Sequence, residues 1–159
     1  MADNKLLINF SRTVDHEALD YYFKYTIRRA VLAVLTHEGF DKDCEVSVTF
    51  CDNAYIKELN SEYRGKDSPT DVLSFPMYDF ASGDEFIPED ELIPLGDIVI
   101  SLERAEEQAR ELGNTFLEEV AFLTVHSMLH LLGYDHELGK DEEEAQCAAQ
   151  REIMAVLDI

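Results

Sequence analysis

Basic side chains are scarce in this sequence: 13 Lys and Arg stand against 34 Asp and Glu, leaving a formal charge of −21. Such a surplus repels nucleic acid at long range and excludes a broad phosphate-binding surface. Any nucleic-acid partner must meet a local cationic cleft or be delivered by another macromolecule, and most of the charge reads as a solubilising surface. Cysteine is also sparse. Cys44, Cys51 and Cys147 form an odd set without CxxC spacing. That excludes a disulfide framework or a cysteine zinc knuckle and suits a reducing cytosol. No segment approaches the run of about eighteen apolar residues that spans a membrane, and the start, MADNKLLINF, lacks a basic leader with a cleavage site. Internal repeats and Ser/Gly-rich linkers are missing too, so the expectation is one cytoplasmic domain over residues 1–159.

Apolar residues make up 46% of the chain and aromatics 10%, spread along its whole length, which is the composition of a globular protein. Short β-rich runs occur at Leu6–Phe10, Val46–Phe50, Val72–Phe75 and Ile98–Ile100, interleaved with segments of helical periodicity. The pattern predicts an α+β fold, with a roughly four-stranded mixed sheet covered by about five helices. A first helix is expected from Asp15 as N-cap to about His37, with Leu19, Tyr22, Phe23, Thr26, Ile27, Ala30 and Val34 on its buried face. A second spans about Asn53 to Tyr63, and a third runs from Ser101 as N-cap to Leu112 before Gly113. The acidic stretch from Met77 to Glu91 reads as a surface loop, and a last helix begins near Asp141.

The fourth helix has the clearest start. Thr115 and Glu118 make a T-x-x-E capping box ahead of a segment that is apolar on nearly every side, so this helix must be buried. It carries His126 and His130, four residues apart and therefore on one face, with Cβ atoms about 5–6 Å apart. Gly133 can reverse the chain at positive φ, and His136 follows three residues later. One histidine on an apolar helix is usually a hydrogen-bonded core residue. Here three of five histidines fall within eleven residues, and three adjacent buried imidazoles would each need a separate partner. The spacing therefore points to a transition-metal site, with zinc favoured.

Three neutral nitrogen ligands leave a coordination position open for water, as in catalytic rather than structural zinc sites, and the ion keeps its full charge. Such a site favours hydrolysis and attracts anionic substrates such as a phosphodiester. Asp135 reads either as an orienting partner of a ligand histidine or as a turn cap. The spacing H-x-x-x-H-x-x-G-x-x-H matches metzincin peptidases. Those enzymes carry a glutamate base after the first histidine, where this chain has Ser127, a residue that cannot take a proton from water near neutral pH.

A second dense stretch, NSEYRGKDSPTDVLSFP, gathers Arg64, Lys66, Asp67, Thr70, Asp71 and Ser74 where a helix, a loop and a short strand meet. Arg64 reads either as a bidentate phosphate ligand or as a surface arginine paired with a nearby acid. Together NSEYRGKDSPTDVLSFP, LGDIVIS and HSMLHLLGYDH, in this order, resemble the YbeY family of bacterial endoribonucleases, over about Asn60 to His136. The resemblance implies a metal-dependent, single-strand-specific RNase that matures the 3′ end of small-subunit ribosomal RNA and serves ribosome quality control. It also implies zinc on His126, His130 and His136, with Arg64 as the functional arginine. The expected partners are ribosomal RNA and the ribosome or its associated proteins, rather than DNA or a membrane. Ser127 departs from the family's usual glycine, which places an extra hydroxyl near the metal. Two rival readings are a zinc metallopeptidase, from the histidine spacing, and a non-catalytic ribosome-assembly factor with a structural metal, from the acidic surface.

Overall fold

The structure, a computed structural model, describes residues 4–80, 87, 91–135 and 139–159. Four strands, β1 (Leu6–Arg12), β2 (Cys44–Cys51), β3 (Val72–Pro76) and β4 (Ile93–Ser101), form one sheet in the order β1-β2-β4-β3. β1, β2 and β4 are parallel, and β3 pairs antiparallel with β4 along the far edge. Five helices accompany them: α1 (Tyr21–His37), α2 (Asn53–Arg64), α3 (Leu102–Leu112), α4 (Phe116–Leu131) and α5 (Lys140–Leu157). The expected mixed α+β architecture is therefore present. No helix among the described residues is long and apolar enough to cross a membrane.

Strand alternation assigns the helices to faces. Ile98 and Ile100 of β4 enter the main core with α1, α4 and α5, whereas Val99 joins Leu73, Cys51 and Ile56 of α2 in a smaller cluster. α2 thus covers one face of the sheet, and α1, α4 and α5 cover the other. Leu95 is an extra residue in the β2–β4 ladder, since Glu45 faces Pro94 while Val46 faces Gly96. At this bulge Gly96 has φ +142, and a Cβ on it would lie 2.3 Å from the Phe75 carbonyl oxygen and 3.0 Å from Leu131 Cδ2. Only glycine lets β3 and α4 close onto β4 at this point.

Three helix signals match the chain's own chemistry. Ser101 caps α3 and Gly113 ends it. Thr115 and Glu118 form the reciprocal capping box of α4. Gly133, at φ +111, completes a Schellman turn in which Gly133 N donates to His130 O and Tyr134 N to Leu129 O. The expected start of α1 at Asp15 is wrong. Asp20 is the N-cap, its carboxylate accepting from Phe23 N at 2.8 Å, while Leu19 and the residues before it form a turn. His16 anchors that turn, bonded to Glu106 of α3 and stacked on Phe116. Tyr22 also departs from its expected place in the core: it is 60% exposed. β4 begins earlier than its central apolar run suggests, at Ile93, and most of the acidic loop from Met77 to Glu91 lies outside the described residues.

Candidate metal centre

From Glu119 to Leu131 every residue of α4 is buried except Phe122, His126 and His130. These three recur at four-residue steps, so an otherwise enclosed helix shows one row to the outside, and that row ends in two imidazoles. The Phe122 and His126 ring centroids are 6.5 Å apart, and those of His126 and His130 4.6 Å apart at 79°.

Both imidazoles are held from behind. His130 Nδ1 lies 2.7 Å from the Tyr134 carbonyl oxygen, which the Schellman turn folds back over the helix end. His126 Nδ1 lies 2.5 Å from Gln150 Oε1 of α5, and Gln146 Nε2 donates to the His126 carbonyl oxygen at 3.4 Å while lying 3.4 Å from Nδ1 as well. A carbonyl oxygen only accepts, so each Nδ1 donates in these contacts, and in the neutral ring that leaves Nε2 with a lone pair. The two Nε2 atoms are 3.0 Å apart. Two lone pairs facing at that range repel unless a cation sits where they converge. Two nitrogens bound to one ion at about 2.0–2.1 Å stand about 2.9 Å apart at a right angle and about 3.3 Å apart at a tetrahedral one. The pair therefore fits a metal ion, and the Nδ1 partners are of the kind that orient metal-binding histidines.

His136, the expected third ligand, lies outside the described residues. Among the described residues no group of three or more His, Cys, Asp or Glu side chains comes together. Ser127 is fully buried and turns away from the histidine row toward the sheet, its hydroxyl 2.8 Å from Ser74 Oγ of β3. The departure from glycine thus reaches the β3 edge instead of the face that His126 and His130 share. The position that carries a catalytic base in the peptidases is here a packing position.

The polar residues of NSEYRGKDSPTDVLSFP divide between scaffold and surface. Asn60 Nδ2 donates to the Ser68 carbonyl at 2.9 Å, holding the loop after α2. Asp71 accepts from Val72 N at 2.8 Å and from Gln108 Nε2 at 3.2 Å. The same Gln108 amide reaches Glu119, a buried carboxyl whose pKa is pushed up by burial. Lys66 and Asp67 are exposed. Arg64 is the exposed last residue of α2, on the opposite sheet face from α4. The two helices meet the same edge strand: Tyr63 packs on Phe75 with ring centroids 5.3 Å apart, while Ser127 holds Ser74. α2, which ends at Arg64, and α4, which carries the histidine row, therefore meet β3 on its two faces.

Sequence reading missed Gln146 and Gln150, 2% and 7% exposed. Their signal was present as two uncharged amides four residues apart in a helix that opens with Lys-Asp-Glu-Glu-Glu.

Comparison with known proteins gives one family. The family model described as Endoribonuclease YbeY matches residues 9–158. A curated Endoribonuclease YbeY from Caldanaerobacter subterraneus is 48% identical over 153 residues, covering 94% of this chain and 92% of the relative. One from Clostridium acetobutylicum is 44% identical, covering 89% and 92%. The solution structure of TM1509 from Thermotoga maritima superposes with a TM-score of 0.61 at 28% identity, covering 95% of this chain and 89% of that one.

Proposed function

The chain belongs to the YbeY family of endoribonucleases, and on that premise we propose that it cuts single-stranded RNA with one zinc ion held by His126, His130 and His136. Its substrate on this reading is ribosomal RNA, in maturation of the small-subunit 3′ end and in ribosome quality control, with the whole of residues 1–159 acting as one cytoplasmic catalytic unit docked on the ribosome or a ribosome-associated protein. The observation that carries the metal is the 3.0 Å approach of two Nε2 atoms, with an acceptor oxygen within 2.7 Å behind each Nδ1. Neutral ligands suit a hydrolytic zinc, which when bound acts as a Lewis acid toward phosphate and acidifies water.

The residues of the chain divide the remaining work. Gln150 and the Tyr134 carbonyl fix the tautomer and angle of the two rings, so the donor atoms need little reorganisation. Arg64 offers a planar fork to a phosphate that approaches along the β3 edge and offsets charge that develops during cleavage. The seating of Ser127 on Ser74 favours phosphodiester over peptide hydrolysis, because no carboxylate follows the first histidine.

The test is cleavage of a small-subunit RNA precursor by the purified protein, with and without chelator, beside His130→Ala and Arg64→Ala. Loss of cutting in all three cases, with near-stoichiometric zinc in the wild type and little in His130→Ala, is the expected result. Undiminished cutting by His130→Ala overturns the metal assignment. Full cutting by Arg64→Ala removes the role given to that residue.

A further inference from the structure

Helix α1 stands apart from the rest of this acidic chain. Its 17 residues contain no Asp or Glu, although the chain carries 34 in 159. They contain Lys24, Arg28 and Arg29, and among the described residues the partners of these cations are neutral. Lys24 Nζ lies 5.8 Å from the centroid of the Phe10 ring, Arg28 donates to the Leu6 carbonyl, and Arg29 donates to the Leu157 carbonyl. Arg12, Lys57 and Arg104 face acids instead, Asp15, Asp67 and Glu107. Their charge is offset at close range, whereas Lys24, Arg28 and Arg29 meet carbonyls and a ring, and among the described residues the acid contacts of α1 are confined to His37 at its far end.

Interleaved with these cations are three tyrosines that the core does not absorb. Tyr21, Tyr22 and Tyr25 are 85%, 60% and 49% exposed. Tyr21 and Tyr25, one turn apart, hold their rings within 12° of parallel with centroids 6.5 Å apart. Large exposed aromatics cost hydration free energy unless a partner covers them. The nearest acid in sequence, Asp20, uses its carboxylate to cap the helix.

We propose that the outward face of α1, Tyr21, Tyr22, Lys24, Tyr25 and Arg28, is a docking platform for single-stranded RNA. The proposal rests on the ribonuclease reading above and names where a chain of charge −21 grips its substrate. Bases stack on the tyrosine faces regardless of sequence, and the phosphates meet Lys24 and Arg28, which pair with no acid among the described residues. The platform lies at the start of α1, beside Phe116 at the start of α4, while the histidine row lies toward the end of α4. RNA held there reaches the metal centre only if it runs along the α1–α4 side, so platform and centre together select substrates of several nucleotides.

The test is fluorescence anisotropy with a labelled oligouridylate of about 12 nucleotides, within the length that such single-strand grooves engage. The variants are the triple change Tyr21→Ser, Tyr22→Ser, Tyr25→Ser, the matching triple change to Phe, and Lys24→Glu, each checked for fold by circular dichroism. The serine triple is expected to weaken binding by about tenfold or more, while the phenylalanine triple, which keeps the π-faces, stays within about twofold. Lys24→Glu weakens binding and flattens the salt dependence, by about 0.7 in log–log slope for each phosphate that the protein no longer neutralises. Wild-type affinity in the serine triple overturns the platform while leaving the ribonuclease reading intact. So does loss of ribosomal-particle association in that variant with RNA affinity unchanged, which would assign the face to a protein. A wild-type protein that cuts no RNA overturns the ribonuclease reading itself.

Discussion

Removing the acceptor behind His126 perturbs the metal centre without touching a ligand. Gln150 is 7% exposed and its Oε1 lies 2.5 Å from His126 Nδ1. In Gln150→Leu the Nδ1 proton loses that acceptor. The imidazole then either keeps an unsatisfied donor or moves its proton to Nε2, where it blocks coordination. Loss of such an outer partner costs about 10–100-fold in metal affinity, which is about 1.4–2.7 kcal/mol. Gln150→Glu works the other way, because a carboxylate accepts the same hydrogen bond more strongly and makes Nε2 a better donor. At about pH 8, where an ordinary imidazole is neutral, zinc affinity should therefore rank Glu above Gln above Leu at position 150. Competition against a chromophoric chelator measures the ranking, and urea unfolding of the metal-free variants separates affinity from stability. Zinc affinities within about twofold of each other across the three proteins would refute the orienting role given to Gln150.

Gly96→Ala forces a Cβ to 2.3 Å from the Phe75 carbonyl, against an ordinary contact of 3.4 Å or more, at φ +142. Overpacking and backbone strain together should cost about 2–5 kcal/mol in urea unfolding, and a loss below about 1 kcal/mol would show that β3 yields freely. His37 makes hydrogen bonds with Glu152 at 2.7 Å and Glu38 at 2.6 Å, and these, Glu152 first, raise its pKa above the ordinary histidine value. A raised folded value means the contribution is fully present below the unfolded pKa of about 6.5 and fades as pH climbs through the folded one. His37→Gln should therefore destabilise most at the acid end of a pH series and match the wild type at the alkaline end; a gap that widens with pH contradicts the assignment.

Much of the centre was legible before any tertiary contact. The i, i+4 histidines share a face because the α-helix has about 3.6 residues per turn, and the capping box and Gly133 mark the ends of that helix by hydrogen bonds between near neighbours in the chain. Local chemistry of this kind is written in neighbouring letters. The start of α1 was misplaced because Asp15 and Asp20 are equally good caps in isolation, and the choice fell to His16, which Glu106 and Phe116 hold from α3 and α4. Tyr22 satisfied the helical period yet turned outward, because the face of α1 that meets the core is filled by Phe23, Thr26, Ile27, Ala30, Val31 and Val34. Arg64 was picked out by its motif, but its place on the far side of the β3 edge follows from a strand order, β1-β2-β4-β3, that no local signal encodes. The same holds for Gln150, 24 residues from His126, and for Ser74, 53 residues from Ser127. Sequence by itself determined that His126 and His130 share one face of α4, because spacing on one helix is a local property. Only the tertiary structure decided how their protons are held and which way Ser127 faces, because those depend on packing between elements distant in the chain.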